Sequence, residues 1–465
     1  MRSVSLAIVL ALVLASRPGF AQAGDWPRFG WDVAGSGAPT GPMGVDAKNI
    51  GRLTLRQVRL DGTVDSSAIY LRAAAIGGAV RDAFFVTTSY GKTIAIDARS
   101  GAILWEFTPP GYESLVGSYR ITNASPVADP NRRFIYAAAP DGFVRKLAVA
   151  DGSVAWSAAI TKLPAREKIA SSLNFFRGRV IAATDGYIGD APPYQGHVAI
   201  LDAADGSLVE VWNSLGSDRH ALLDPASYPQ SDSGIWGRSG VVVDPVSGEL
   251  YLATGNGLWD GKTNWGDSVI VLDPEANGIE GNYTPENTAV LDAEDRDLGS
   301  TSPVLLGDGI IAQGGKDGII RLLDRNAIRG AAPHRGGELD EVSTPSGACL
   351  FSAPAVFREG SLTWLLAADG GGASAWTLEG RKLKLRWHAA FGGTSPVVAD
   401  GLAFVYDPKG ALRVYEATSG NLVATLPCGG GHWNSPIVAD GRIALPEGNA
   451  NAHLTAGILD IWSAP

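Results

Sequence analysis

Thr93-Ile-Ala-Ile-Asp97-Ala-Arg-Ser-Gly101-Ala-Ile-Leu-Trp105 is the stretch of sequence that decides the fold. Two short apolar runs flank a turn from Asp97 to Gly101, a pattern typical of a β-hairpin. The phrase returns later in the chain, as Val144 to Trp156, Val198 to Trp212, Val269 to Asp273, Ile319 to Asp324, Ala373 to Trp387 and Leu412 to Gly420. Such a return indicates stacked β-sheet repeats.

A second phrase, Ser-Pro followed by a β-run, alternates with the first. It occurs at Ser125-Pro126, Ser302-Pro303, Ser395-Pro396 and Ser435-Pro436, with Ser352-Ala-Pro354 as a variant. Each unit buries only part of its apolar surface alone, so units of about 40 to 55 residues must stack around an axis. We therefore predict an all-β protein, a single eight-bladed β-propeller of four-stranded antiparallel blades over residues 24–465.

The sequence also suggests how the ring is held together. The last blade is expected from His432 to Trp462, closed by a strand that follows Asp25-Trp26. A tryptophan after each turn is expected to dock against the neighbouring blade, a structural role that needs no ligand. The tryptophans with this expected role are Trp105, Trp156, Trp212 and Trp387.

The first 23 residues resemble an export signal. Arg2 precedes an apolar run from Leu6 to Leu14, and the stretch closes on Ala21-Gln-Ala23. The run is too short to span a membrane and no cysteine follows it, so we expect a mature chain from Gly24 without a lipid anchor, periplasmic or secreted.

Charge and cysteine content exclude some functions. The chain has 48 acidic and 38 basic residues, a formal charge of −10 that becomes −12 without Arg2 and Arg17. Such a surface repels phosphate backbones, so nucleic acid is a poor partner. Cys349 and Cys428 do not have the spacing of a haem-attachment or zinc site. They could form one disulfide or remain two thiols.

The repeats are similar to those of quinoprotein alcohol dehydrogenases, which use pyrroloquinoline quinone (PQQ), and of the lipoprotein that scaffolds outer-membrane barrel assembly. Asp25-Trp-Pro-Arg-Phe-Gly30 with Asn49-Ile-Gly-Arg-Leu53 also resembles the start of the dehydrogenases. The resemblance covers nearly the whole mature chain. It implies the propeller fold, but the same fold serves catalysis and plain protein binding.

Four residues match dehydrogenase segments in order. Ser233-Gly-Ile-Trp236-Gly-Arg and Leu250-Tyr-Leu-Ala-Thr-Gly-Asn256 resemble the segments that supply the floor under PQQ and a calcium ligand. Asp297, in Asp295-Arg-Asp297-Leu-Gly-Ser, resembles the catalytic base. Lys316, in Gly315-Lys316-Asp-Gly, resembles the basic residue beside the reactive quinone oxygen. Each also has a structural interpretation, as a channel-lining, turn-capping or blade-edge residue.

Two departures from the family favour a different site. The adjacent cysteines that cover the other face of the cofactor have no counterpart between Tyr112 and Ile121. The glutamate that binds calcium is also missing, and Asp185 or Asp190 is the candidate to replace it. We further assign cofactor contacts, by their places in the resemblance and by loop position, to Arg120, Ser171, Ser172, Trp433 and Asn434.

Two functions remain open at this stage. One is an exported dehydrogenase that oxidises an alcohol or sugar with PQQ and calcium and passes electrons to an external acceptor, such as a cytochrome. The other is a non-catalytic propeller that binds another exported protein or a small ligand. Neither the substrate nor the oligomeric state follows from the sequence.

Overall fold

The computed structural model describes residues 24–465, so the predicted export signal, residues 1–23, lies outside the described residues. The chain is almost entirely β-structure. Its first seventeen strands are β1 (Thr54–Leu60), β2 (Ile69–Ile76), β3 (Ala79–Thr87), β4 (Thr93–Asp97), β5 (Ile103–Phe107), β6 (Val127–Ala128), β7 (Phe134–Ala138), β8 (Phe143–Ala148), β9 (Val154–Ala159), β10 (Glu167–Lys168), β11 (Asn174–Phe176), β12 (Arg179–Ala183), β13 (Asp185–Gly186), β14 (His197–Asp202), β15 (Leu208–Asn213), β16 (Val242–Val243) and β17 (Leu250–Ala253).

The second half continues in the same way. Its strands are β18 (Val269–Leu272), β19 (Ile279–Tyr283), β20 (Val304–Gly307), β21 (Ile310–Gln313), β22 (Ile319–Asp324), β23 (Asp340–Ser343), β24 (Ala355–Glu359), β25 (Leu362–Ala368), β26 (Ala373–Glu379), β27 (Lys382–Ala389), β28 (Val397–Ala399), β29 (Leu402–Asp407), β30 (Ala411–Glu416), β31 (Leu422–Pro427), β32 (Ile437–Ala439), β33 (Arg442–Glu447) and β34 (Gly457–Ser463). Two short α-helices, α1 (Tyr112–Leu115) and α2 (Thr288–Ala293), and three single 3₁₀ turns, Ile50–Arg52, Pro225–Ser227 and Leu298–Ser300, lie in the connections.

The strands form eight antiparallel four-stranded blades, as predicted. Six blades use consecutive strands of the chain, β2–β5, β6–β9, β16–β19, β20–β23, β24–β27 and β28–β31, and a seventh consists of β11, β12, β14 and β15, while β10 and β13 form a separate two-stranded sheet. The eighth has the order β1-β34-β33-β32, so an N-terminal strand completes the C-terminal blade. Thr54 pairs with Ser463 and Leu60 with Gly457, and this register closes the ring.

Tryptophan docking holds neighbouring blades together at all four predicted positions, and three of these share one geometry. The Trp105 Nε1 donates to the Val149 carbonyl at 2.9 Å, and a Cβ added at Gly152 would lie 2.6 Å from its ring. Only glycine allows this approach in the turn of the next blade. Trp156 and Trp387 repeat the arrangement against Gly206 and Gly420.

Trp212 differs from this scheme. It is fully buried in a cluster with Val241, Leu252 and Trp265 of the next blade. Its Nε1, however, has no hydrogen-bond partner. Trp212 therefore contributes apolar packing between blades without the carbonyl bond that fixes the other three.

The closing blade contains a buried pair of acids. Asp460 on β34 is fully buried, hydrogen-bonds Glu447 on β33 and accepts from Gln57 Nε2 on β1 at 3.0 Å. Burial first, and then the bond to Glu447, raise the pKa of Asp460 to about 8. The pair therefore shares a proton near neutral pH, which lets two carboxyl groups lie together inside the blade.

Replacing Asp460 by Asn tests this pair. Because the Asp460 pKa is raised in the folded state, its contribution to stability is full below pH 4 and is lost as the pH rises to about 8. Between pH 4 and 9 the free energy of unfolding of D460N should therefore fall by less than that of the wild type. We expect a difference on the order of 1–2 kcal/mol, measured by urea unfolding. The control is D308N on an exposed turn. Parallel stability curves for D460N and the wild type would contradict a shared proton.

Candidate functional site

A cavity of about 710 Å³ opens at one face of the ring. In a blade of four antiparallel strands, the turn between the second and third strands lies at the same end of the blade as the connections to its neighbours. Segments of both kinds line the cavity, and they come from several blades, which places it around the centre of the ring. The volume lies within the range of ordinary ligand sites. The cavity is called the central cavity below.

Trp236 forms one wall of the central cavity. It lies on the connection before β16, and its Nε1 would be 3.3 Å from a Cβ added at Gly255. The Lys316 Nζ lies 5.4 Å from the centre of its ring, and the ring of Phe351 lies 5.9 Å away. A planar aromatic wall with a cation beside it suits a flat, electron-poor ligand.

Asp297 and Lys316 form an ion pair in the same cavity. The Asp297 Oδ1 accepts the backbone N–H of Asn256 at 2.7 Å, and its Oδ2 contacts the Lys316 Nζ. The ammonium group also bonds Asp295 Oδ1 at 2.6 Å. Burial lowers the pKa of Lys316, but the charges of Asp297 and Asp295 outweigh it and raise the pKa overall. Lys316 is therefore a fixed positive charge.

Asn256 brings an unused oxygen to this cluster. Its Nδ2 donates to Asp295 Oδ1 at 3.3 Å, whereas its buried Oδ1 has no hydrogen-bond partner. A buried amide oxygen without a partner is costly unless water or an ion contacts it. The Asn256 oxygen is thus a suitable ligand for a hard cation.

Asp185 and Asp190, the two candidates for the missing glutamate, also line the central cavity. Strand β13 pairs with β10, which sets Asp185 opposite Lys168. Burial, with the charge of Asp190, raises the pKa of Asp185, and burial lowers the pKa of Lys168 despite the carboxylate. Asp185 also packs against Gly234, where a Cβ would overlap its carboxylate.

The cavity is strongly acidic. Its lining includes two lysines, Lys168 and Lys316, against six aspartates: Asp185, Asp190, Asp232, Asp292, Asp295 and Asp297. Like charges at this spacing repel and favour either protonation or a bound cation. Among residues 24–465, however, no group of three Asp, Glu, His or Cys side chains is arranged so that it could hold a metal ion by itself. A cation here would depend on the Asn256 amide oxygen in addition to carboxylates.

Trp433 covers the face of Trp236 inside the cavity. The two ring centres are 6.0 Å apart and the planes differ by 22°. The buried Asp65 fixes this tryptophan: its carboxylate accepts the Trp433 N–H at 2.7 Å and contacts the His432 Nδ1 at 2.8 Å. Burial alone would raise the pKa of Asp65, but its bond to His432 and the charges of His432 and Arg238 lower it overall.

A smaller cavity of about 260 Å³ lies beside the first and is called the side cavity. Trp433 and Phe351 line both cavities, so these two rings form the partition between them. Arg238 and Cys349 also line the side cavity. Cys349 and Cys428 are both free thiols, so the structure contains no disulfide between them.

Four of the residues predicted to contact a cofactor do not line either cavity. Arg120 donates to the Pro140 carbonyl at 2.8 Å and contacts the Tyr187 hydroxyl. Ser171 and Ser172 are buried against the Arg238–Gly240 backbone. Asn434 is also buried, and its side chain accepts from the His432 N–H and donates to the Val64 carbonyl at 2.5 Å. It therefore shapes the loop that carries Trp433.

The sequence did not single out four buried charges near these cavities. Lys168 and Arg238 lie 5.8 and 5.3 Å from the centre of the Trp433 ring. Asp65 anchors the Trp433 loop, and Asp267 accepts the Leu298 N–H at 2.9 Å beside Asp297. Burial raises the pKa of Asp267 to about 8. Lys168 lies on the two-residue strand β10 and the other three lie in connections or turns, where many surface residues also carry a charge, so no sequence signal marks them.

The chain is an eight-bladed β-propeller that is similar to PQQ-repeat proteins, among them quinohemoprotein alcohol dehydrogenases. Residues 49–234 match the family profile described as outer membrane protein assembly factor BamB. Over 354 residues the chain is 25% identical to the quinohemoprotein alcohol dehydrogenase of Comamonas testosteroni, covering 66% of this chain and 46% of that protein. The chain thus spans less than half of that relative.

Solved structures show the same fold. A quinohemoprotein alcohol dehydrogenase from Pseudomonas putida HK5 superposes with a TM-score of 0.73 at 15% identity, over 95% of this chain and 80% of the other. A europium-containing methanol dehydrogenase gives 0.72 at 15% identity, over 96% and 98%. In the described part of this chain, no helix has the length and apolar character to cross a membrane.

The contact between Gly234 and Asp185 gives a direct test of the cavity wall. Ala at position 234 would overlap the Asp185 carboxylate, so G234A should lower the free energy of unfolding by about 1–3 kcal/mol. The control is G51A, where an added Cβ has no neighbour within 4 Å. Urea unfolding followed by circular dichroism measures both. Equal stability of G234A and G51A would show that Asp185 does not pack against this backbone.

Proposed function

We propose that the protein is a quinone-dependent dehydrogenase that oxidises an alcohol or a sugar in the central cavity. The observation that carries the proposal is that Asp297, Lys316, Trp236 and Asn256 surround this one cavity. Four segments supply them, from two neighbouring blades, β16–β19 and β20–β23, and the connections into those blades, so their meeting depends on the fold and not on one local motif. Dehydrogenases of this class among the similar proteins add support.

The residues present suit PQQ and a calcium ion in their chemistry. The Trp236 ring offers a flat face, and the absence of side chains at Gly234 and Gly255 leaves room for carboxylates beside it. The unpartnered Asn256 Oδ1, with Asp185 and Asp190, would hold the cation, since calcium prefers carboxylate and carbonyl oxygens. When bound, the quinone supplies the hydride acceptor.

Asp297 acts as the base that takes the hydroxyl proton of the substrate. Both oxygens of the Asp297 carboxylate already have a partner in the structure, Oδ2 the Lys316 ammonium group and Oδ1 the N–H of Asn256. Lys316 must therefore turn away from Asp297 Oδ2 as the site is filled. Asp295 already bonds the ammonium group and can retain it, so the lysine keeps a partner as Asp297 becomes available.

The proposal includes export and an electron acceptor outside this chain. Residues 1–23 support export by their sequence pattern. Reoxidation of a quinol one electron at a time needs a redox partner, and a cytochrome is a suitable class. A non-catalytic binding function is the alternative that the experiment below would favour if no quinone binds.

The test is alcohol-dependent reduction of an artificial one-electron dye by the mature protein loaded with PQQ and calcium. D297N should lower the rate by about 10²- to 10⁴-fold, as expected for the loss of a general base, with PQQ affinity changed little. D295N, two residues away, should lower it less than D297N does, because Asp295 holds Lys316 but does not take the proton.

Calorimetry with PQQ, with and without calcium, separates binding from chemistry in the same variants. N256A should weaken the calcium dependence of PQQ binding, because it removes the unpartnered oxygen. A wild-type protein that binds no PQQ at millimolar calcium would overturn the proposed function. Equal rates for D297N and the wild type would remove Asp297 as the base.

A further inference from the structure

The upper face of the central cavity is not covered by the segment that sequence comparison would suggest. No residue from Tyr112 to Ile121 lines the cavity in the described chain. Instead, Tyr112, Leu115 and Ile121 pack with Tyr90 and Tyr187 in a separate apolar cluster. The residue that faces Trp236 is Trp433, from the connection into the last blade.

The spacing of these two rings is close to that of an aromatic sandwich. Each aromatic contact takes about 3.5 Å, so a planar ligand between two parallel rings needs roughly 7 Å. The ring centres of Trp236 and Trp433 are 6.0 Å apart, with planes only 22° from parallel. Aromatic pairs in contact have ring centres 4.5–7 Å apart when they are offset, so one ring must move aside before a flat molecule can lie between them.

The surroundings allow Trp433 to make this shift. Its ring separates the central cavity from the side cavity, and the His432 ring, which also lines the side cavity, stacks on it with the ring centres 4.4 Å apart, so the two rings would move together. Its backbone N–H is held by Asp65, whereas the three residues before His432 are all glycine. The Trp433 ring can therefore move together with the His432 ring, by rotation of the side chains, while the loop stays anchored.

Two buried cations lie at the Trp433 ring. Lys168 Nζ and the Arg238 guanidinium are 5.8 and 5.3 Å from its centre, and both residues are buried. The Arg238 Nε has no hydrogen-bond partner. Cations beside an aromatic face suit a planar ligand that carries carboxylates, because arginine pairs well with that group.

We infer that Trp433 is the second face of the ligand site, and that it clamps a planar, carboxylate-bearing aromatic ligand against Trp236. This inference rests on the proposed function, in which the ligand is a quinone of that chemistry. It assigns to an indole from the last blade the covering role that the cysteine pair has in the resembling dehydrogenases. Lys168, which lines the central cavity, is then the group that faces the carboxylates of the ligand.

The experiment measures PQQ affinity by calorimetry, with calcium present, for the full mature protein. W433L should weaken PQQ binding by roughly three- to tenfold, the effect of one lost aromatic contact, while W433F should stay within about twofold. W259L is the matched control, since Trp259 lines neither cavity. Melting curves confirm that each variant folds.

Tryptophan fluorescence gives a second measurement that does not depend on activity. PQQ should quench the emission of both indoles, so W236L and W433L should each lose part of the quenching, and W259L should not. If W433L leaves PQQ binding and quenching unchanged while W236L weakens both, Trp433 is not the second face of the site. The proposed function would then still hold. No PQQ binding by the wild type would remove both.

Discussion

The whole structure depends on the close approach of an indole to a glycine of the neighbouring blade. A four-stranded blade cannot bury both of its faces alone, and an open ring would expose unpaired strand edges. Docking of Trp105 on Gly152 joins one blade to the next, with a hydrogen bond to the Val149 carbonyl. The same contact recurs at Trp156 and Trp387. The turn can hold no side chain larger than hydrogen at that point.

Because the blades are fixed in this way, their connections meet around the centre of the ring and form the cavity. The cavity gathers six aspartates and two lysines within one small volume. Such a density of carboxylates raises the pKa of Asp185 and of Asp190, with burial as the first cause. The ring thus stabilises a site that, without a ligand, holds poorly compensated charge, a pattern that is common where binding or catalysis occurs.

The fold was predictable from the sequence, and the site was predictable in part. Repeated turn phrases determine blade number because each phrase forms the same hairpin from local residues. Trp236, Asn256, Asp297 and Lys316 were found because short motifs surround them. Lys168 had no such motif: its place at the cavity depends on the pairing of β10 with β13 across a long connection.

Some residues that were predicted to contact the cofactor lie away from the cavity, and the reason is again a set of contacts between distant segments. Arg120 and Asn434 lie in the predicted regions of the chain, but their side chains satisfy nearby backbone groups instead of facing the cavity. Side-chain direction is decided by contacts among distant segments, which a single sequence does not show. Trp212 packs against the next blade as predicted, although its Nε1 lacks the carbonyl bond that the other three tryptophans make.

The closing strand β1 has a kinetic consequence. Seven blades can form from neighbouring residues, whereas the eighth needs Thr54 to find Ser463, a contact of very long range in sequence. Contacts of this kind slow folding and are made late. Asp65 follows β1 closely and anchors Trp433, which is 368 residues away. The ligand site is therefore assembled only when the two ends of the chain meet, and an incompletely folded ring would have blades but no clamp.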